Sequence, residues 1–156
     1  MSIRREYSGL RLLAVATFVL LLGACSGMRM PGSQSARQDS APASSTKLSG
    51  AQEVPPVSTG ASGTSTIRVA SDRSVSGAVN FSGMTATAAH IHEGAAGANG
   101  PVIVPLTKTS DTSFAVPANA KLTDAQYESY KAGKLYVNVH SAAHPGGEIR
   151  AQLNAK

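Results

Sequence analysis

From about residue 65 onward, apolar and polar residues alternate one by one. "STIRVA" (65–70) puts Ile67 and Val69 on one side and Thr66 and Arg68 on the other. "SVSGAVNF" (74–81) does the same, with Val75, Gly77, Val79 and Phe81 turned inward. A period of two marks half-buried antiparallel strands. "AAHIHE" (88–93) and "VIVPLT" (102–107) read as further strands joined by "GAAGANG", and "SFAV" (113–116) as a short one. "KLYVNVH" (134–140) and "GEIRAQL" (147–153) form a last pair on either side of Pro145-Gly146. Pro105 cannot donate to a ladder, so its strand is expected at an edge or a bulge. One segment departs from the pattern. In "LTDAQYESYKAGK", Thr123 stands three residues before Gln126, the spacing of a capping box, and Gly133 is a stop signal. The pattern predicts a short helix near 123–132, with Leu122, Tyr127 and Tyr130 on one side. The whole reads as an all-β domain, an antiparallel β-sandwich or Greek-key barrel with one short helix.

The N-terminus follows another pattern. Arg4, Arg5 and Arg11 precede an apolar run, Leu12 to Leu22, and then Gly23, Ala24 and Cys25. The run is short for a mature membrane span. Basic, apolar and small residues in that order make residues 1–24 a signal peptide, which takes no part in the fold. "LGAC" resembles a bacterial lipobox, which makes Cys25 the lipidated first residue of the mature chain and attaches it to a membrane. Cys25 is the only cysteine, so no intramolecular disulfide is expected. Ser26 follows it, with no aspartate there to signal inner-membrane retention. The expected location is therefore the cell envelope, on the outer membrane where the host has one. Residues 25–46 are rich in Ser, Ala, Gly, Pro and Gln, which predicts a flexible tether. Residues 47–156 then form a single domain.

Charge narrows the partners. The chain carries a formal +5, of which the leader supplies +2 through three arginines and Glu6, leaving +3 on the rest. Its basic residues are scattered, without the stripe and interleaved aromatics of a nucleic-acid binder. No protein partner is indicated.

The chemistry lies in the histidines. All four fall in two segments: His90 and His92 in "AAHIHEG", His140 and His144 in "NVHSAAHPGG". Residues two apart on a strand share a face, roughly 6–7 Å apart along it. His90 and His92 therefore project together while Ile91 points into the core. Val137 and Val139 face inward, which puts Tyr136, Asn138 and His140 on the opposite side. Three or four imidazoles thus collect outside the β core, or beneath a loop that covers it. Imidazole suits copper and zinc, at about 2 Å per bond. A second reading competes: the histidines, with Glu93, Asn99, Glu148 and Arg150, form a hydrogen-bonded network or salt bridge that holds loops in place. Binding of a metal should weaken below about pH 6, since protonated imidazole cannot ligate.

Three stretches carry a resemblance: "LSGAQEVPPVSTGASGTSTI", "AHIHEGAAGANGPVIVPL" and "YVNVHSAAHPGGEIRAQL". In order and register they resemble the CHRD domain, a module named from chordin, over about residues 47–153. The resemblance implies a β-rich extracytoplasmic module with a binding or structural role. It includes His90, His92, His140, Gly94, Gly97, Asn99, Gly100, Pro101, Gly147, Glu148 and Arg150. "AHIHEG" is also similar to the copper-binding strand of Cu/Zn superoxide dismutases. That similarity implies an immunoglobulin-like or superoxide-dismutase-like barrel with a copper-type site outside it. The zinc-loop histidines and aspartate, the disulfide and the loop arginine of those enzymes have no counterpart, so dismutase activity is not implied.

Three functions follow: a lipid-anchored module holding copper or zinc for storage, delivery or tolerance; a metal-free binding or structural module; and a metal-dependent enzyme. No nucleophile–base arrangement, carboxylate pair within one motif or phosphate loop favours the third, and the chain is expected not to be an enzyme.

Overall fold

The computed structural model describes residues 45–155. The leader, Cys25 and all of the tether up to residue 44 lie outside the described residues. Eleven strands and one α-helix follow in order: β1 (Thr46–Ser49), β2 (Ser62–Ser65), β3 (Arg68–Val69), β4 (Val75–Ser76), β5 (Ala78–Ser82), β6 (Ala86–Glu93), β7 (Val102–Pro105), β8 (Thr107–Ser110), β9 (Ser113–Ala115), α1 (Asp124–Lys131), β10 (Leu135–Ser141) and β11 (Ile149–Leu153). A 3₁₀ turn, Gly50–Gln52, follows β1.

Nine strands form one antiparallel sheet in the order β7-β6-β10-β11-β1-β2-β5-β9-β8. Its two outer strands, β7 and β8, are consecutive in the chain, with only Leu106 between them. Leu106 N donates to Ala89 O of β6 at 2.9 Å. The sheet therefore curls into a nearly closed barrel, the all-β architecture with one helix that the alternation predicts. Pro105 ends β7 at the sheet edge, as its missing N–H requires. Leu48, Val79, Phe81, Ile91, Phe114, Leu135, Val137, Val139, Ile149 and Leu153 fill the interior. Thr123 and Gln126 form the capping box of α1 in both directions, and Leu122, Tyr127 and Tyr130 pack towards the core.

The structure corrects the strand reading at one place. "STIRVA" and "SVSGAVNF" are each broken, with β3 and β4 making a separate two-stranded sheet. The break falls where Thr66 meets Gly77. Gly77 has φ +112°, a conformation that glycine tolerates, and is exposed instead of inward. Thr66 Oγ1 accepts from Ala78 N at 3.2 Å and donates to Ala78 O at 3.3 Å. Thr66 N still donates to Ala78 O at 2.9 Å, and the hydroxyl supplies the acceptor for the Ala78 N–H. Strands β1, β2 and β8 had no counterpart in the alternation beyond Ser65 of β2 and Thr107 of β8. β1 starts at Thr46, the residue assigned to the end of the tether. β8 is exposed along its whole length, so it carries no apolar face to recognise.

Candidate metal centre

Strand β10 runs through the middle of the sheet between β6 and β11, and all seven of its residues are buried. Leu135, Val137 and Val139 face the barrel interior. Tyr136, Asn138 and His140 face outward, yet they are buried too, because loops lie over them. The roof consists of the 94–101 loop, the 142–147 loop and the segment after the 3₁₀ turn. The sequence-predicted histidines therefore sit under a cover, not on an open face.

Side chains of the sheet hold that roof. Arg150, 1% exposed, donates from Nη2 to Ala95 O (3.1 Å) and Ala98 O (2.9 Å), and from Nη1 to Asn99 Oδ1 (3.3 Å). Asn99 Nδ2 in turn reaches Val54 O at 2.7 Å, joining two of the loops. Gln152 Nε2 binds Gly94 O and Gly133 O, each at 2.8 Å. The Arg150 guanidinium lies 3.4 Å from the Tyr136 ring centroid. His92 stacks on the same ring at 4.8 Å, nearly parallel at 8°. A Cβ at Gly100 would overlap the Glu93 carbonyl, so only glycine lets the loop come this close.

Within this frame the register sets Asn138 opposite His90 and Tyr136 opposite His92. His90, His92 and His140 converge, each offering a ring nitrogen, with all three nitrogens within 4.8 Å of one another. His92 and His140 are 8% exposed and His90 is half-buried. Two of the rings have their tautomers fixed by the backbone. His92 Nδ1 lies 3.0 Å from Gly100 O, and His140 Nδ1 lies 3.0 Å from Pro145 O. A carbonyl oxygen only accepts, so both Nδ1 atoms carry the proton. Each Nε2 of the neutral ring is then a lone pair. The His140 lone pair meets His90 Nδ1 at 3.0 Å. The His92 lone pair is buried and has no partner among the described residues.

Burial is the main reason that all three histidines titrate below the ordinary imidazole range. The other imidazoles press His90 and His140 further down, and Arg150 does so for His92. Hydrogen bonds from His92 and His140 to the carbonyls act the other way. The rings are neutral at pH 7, the form a metal needs. Carbonyl-anchored N–H groups on ligating imidazoles are the usual supporting arrangement at metal centres.

The remaining expected site residues divide. His144 stays out of the group; its backbone N–H turns to Ser141 Oγ at 3.2 Å. Asn99 and Arg150 bind each other and carbonyls of the covering loops, and Arg150 makes no salt bridge with Glu148. Glu148 accepts from Thr59 Oγ1 at 2.7 Å instead. Glu93 accepts from Ser129 Oγ at 2.6 Å, tying the helix to the end of β6. Two residues were given no role in the sequence. Asn138, 1% exposed, leaves Oδ1 without a partner, and Glu53, 5% exposed, leaves Oε1 without one. Burial raises Glu53 to a pKa of about 7, against the pull of Arg150 and Asn138. The signal for Asn138 was present: a lone amide inside "YVNVH", on the face shared with His140. Glu53, in the irregular "AQEVPP", had none.

The family model of the CHRD domain matches residues 44–153. No curated protein and no solved structure matches the chain. Among the described residues, no helix is long and apolar enough to cross a membrane.

Proposed function

This chain belongs to the CHRD domain family, and we propose that it is a metal-holding module of the cell envelope, binding Cu(II) or Zn(II) through His90, His92 and His140. The observation that carries this reading is the preset of the imidazoles. Two backbone carbonyls accept hydrogen bonds from the Nδ1–H groups of His92 and His140, which leaves Nε2 lone pairs buried beside a third ring. A lone pair kept dry without a donor costs roughly 1–3 kcal/mol, and a cation would recover that cost. The nitrogen-only triad favours copper or zinc over magnesium or calcium, which prefer oxygen. The bound ion would be stored, delivered or kept from harm; no catalytic step is assigned, and the chain is read as a binding module, not an enzyme. It would reach the envelope by its leader and be anchored in the outer membrane through lipid on Cys25.

Calorimetric titration of the tag-free protein with copper and zinc at pH 7.5 tests the site, beside a His90→Ala, His92→Ala double variant. Wild type should bind and the variant should not, and binding should fade as pH falls below about 6. Equal behaviour of the two proteins would reassign the histidines to the loop-holding role. One observation favours that second reading: the 3.0 Å bond between His90 and His140 already satisfies two ring nitrogens.

A further inference from the structure

Three buried polar atoms among the described residues have no hydrogen-bond partner: His92 Nε2, Asn138 Oδ1 and Glu53 Oε1. The first two belong together. Asn138 Nδ2 donates to Gly146 O at 3.3 Å. The carbonyl can only accept, which fixes the orientation of the amide. The Glu53 carboxyl lies on the same side: a Cβ on Gly147 would meet Asn138 Nδ2 and Glu53 Oε1 at 2.5 Å each. The amide nitrogen is thus committed to Gly146 O, and Oδ1 is left without a partner. Asn138 stands opposite His90 in the pairing of β6 with β10, on the covered face where His92 stacks on Tyr136. The proton of His92 is on Nδ1, committed to Gly100 O. His92 Nε2 and Asn138 Oδ1 are therefore two buried acceptors on one covered face, neither with a donor among the described residues. A buried acceptor without a donor is costly, and a cation held by both would remove that cost.

Resting on the metal reading above, we propose that Asn138 supplies the fourth donor of the site through Oδ1. The donor set is then three imidazole nitrogens and one neutral amide oxygen. Four protein donors close the coordination sphere of a zinc-type ion, the pattern of a site that retains its metal; catalytic sites keep a position open for water or substrate. The device is a holding site, not a reactive one. Glu53 places an acidic group near the amide, both side chains lying close to Gly147.

The test uses the tag-free full chain in two arms. In the first, zinc is added to isotopically labelled wild type. The Asn138 carboxamide resonances should shift at saturation while those of the exposed Asn80 and Asn119 stay in place. An unmoved Asn138 would overturn the proposal, and this arm needs no variant to fold. In the second arm, cobalt(II) replaces zinc, and azide is added as a probe of an open position. The wild-type visible spectrum should ignore azide. Asn138→Ala, checked for folding by urea denaturation, should respond to azide and bind zinc roughly tenfold or more weakly. A wild-type spectrum that responds to azide, or a variant that binds zinc as tightly, would also overturn it. Failure of wild type to bind zinc, cobalt or copper at all would instead remove the metal reading itself, and this proposal with it.

Discussion

The two faces of β10 are built from alternate residues of one strand, and both are buried. On one, Leu135, Val137 and Val139 sit at 0% exposure in the barrel core. On the other, Tyr136, Asn138 and His140 sit under loops at 8% exposure or less. The first face needs only shape and apolarity, and each such side chain contributes about 1.5–3 kcal/mol through burial. The second face buries polar groups, which cost stability unless each finds a partner. Most do: Arg150, Gln152, Asn99, His92 and His140 each bind loop carbonyls. The exceptions are His92 Nε2, Asn138 Oδ1 and Glu53 Oε1, and the side chains of the last two lie close together at Gly147. The fold satisfies nearly every buried polar side-chain atom among the described residues and leaves these three without a partner.

The largest way to break the comparison is to damage the apolar face alone. Leu135→Ala should cost about 2–5 kcal/mol in urea denaturation, with zinc affinity of the folded protein unchanged. A large loss of affinity would mean that the two faces are not separable.

Glu53→Gln acts on the polar face with the opposite sign. The pKa of Glu53 is raised from 4.5 to about 7 by burial. A raised pKa means that the folded state holds the proton more tightly. The stability this supplies is complete below pH 4.5 and is lost as pH climbs through 7. Gln mimics the protonated form at every pH. The variant should therefore be more stable than wild type at pH 8.5, by about 3 kcal/mol, and the difference should vanish towards pH 4.5. Equal denaturation midpoints at pH 8.5 would show that the carboxyl is not held dry.

The smallest effect sharpens the boundary of the site. His144→Ala should leave zinc affinity in place and change stability by no more than about 0.5 kcal/mol, because His144 lies outside the three-histidine group. A marked fall in affinity would bring His144 back as a ligand.

The sequence disclosed these two faces unequally. The apolar one is legible because its signal is periodic: Val137 and Val139 alternate with polar residues, and Ile91 separates two histidines. The same alternation put His90, His92 and His140 on one side. It left open whether they lie on an open face or beneath a covering loop, since the contacts from Arg150 to Ala95 and Ala98 that hold the cover join residues more than fifty positions apart. Arg150 was expected in a loop-holding role, but its partners are backbone carbonyls, which sequence does not advertise. The continuous strand expected over 65–70 failed at a local event, the Thr66–Gly77 kink, where the Thr66 hydroxyl accepts from Ala78 N. Glu53 entered the site by tertiary folding alone.

The most direct measurement is the tautomeric state of the histidine side chains, read by ¹⁵N NMR of their ring nitrogens at pH 7.5 before and after zinc. Without metal, His92 and His140 should be neutral with the proton on Nδ1, held by Gly100 O and Pro145 O. With zinc, their Nε2 resonances and one ring nitrogen of His90 should shift together, while His144 stays unchanged. Protons found on Nε2 of His92 and His140, or zinc that moves none of the three rings, would contradict the account.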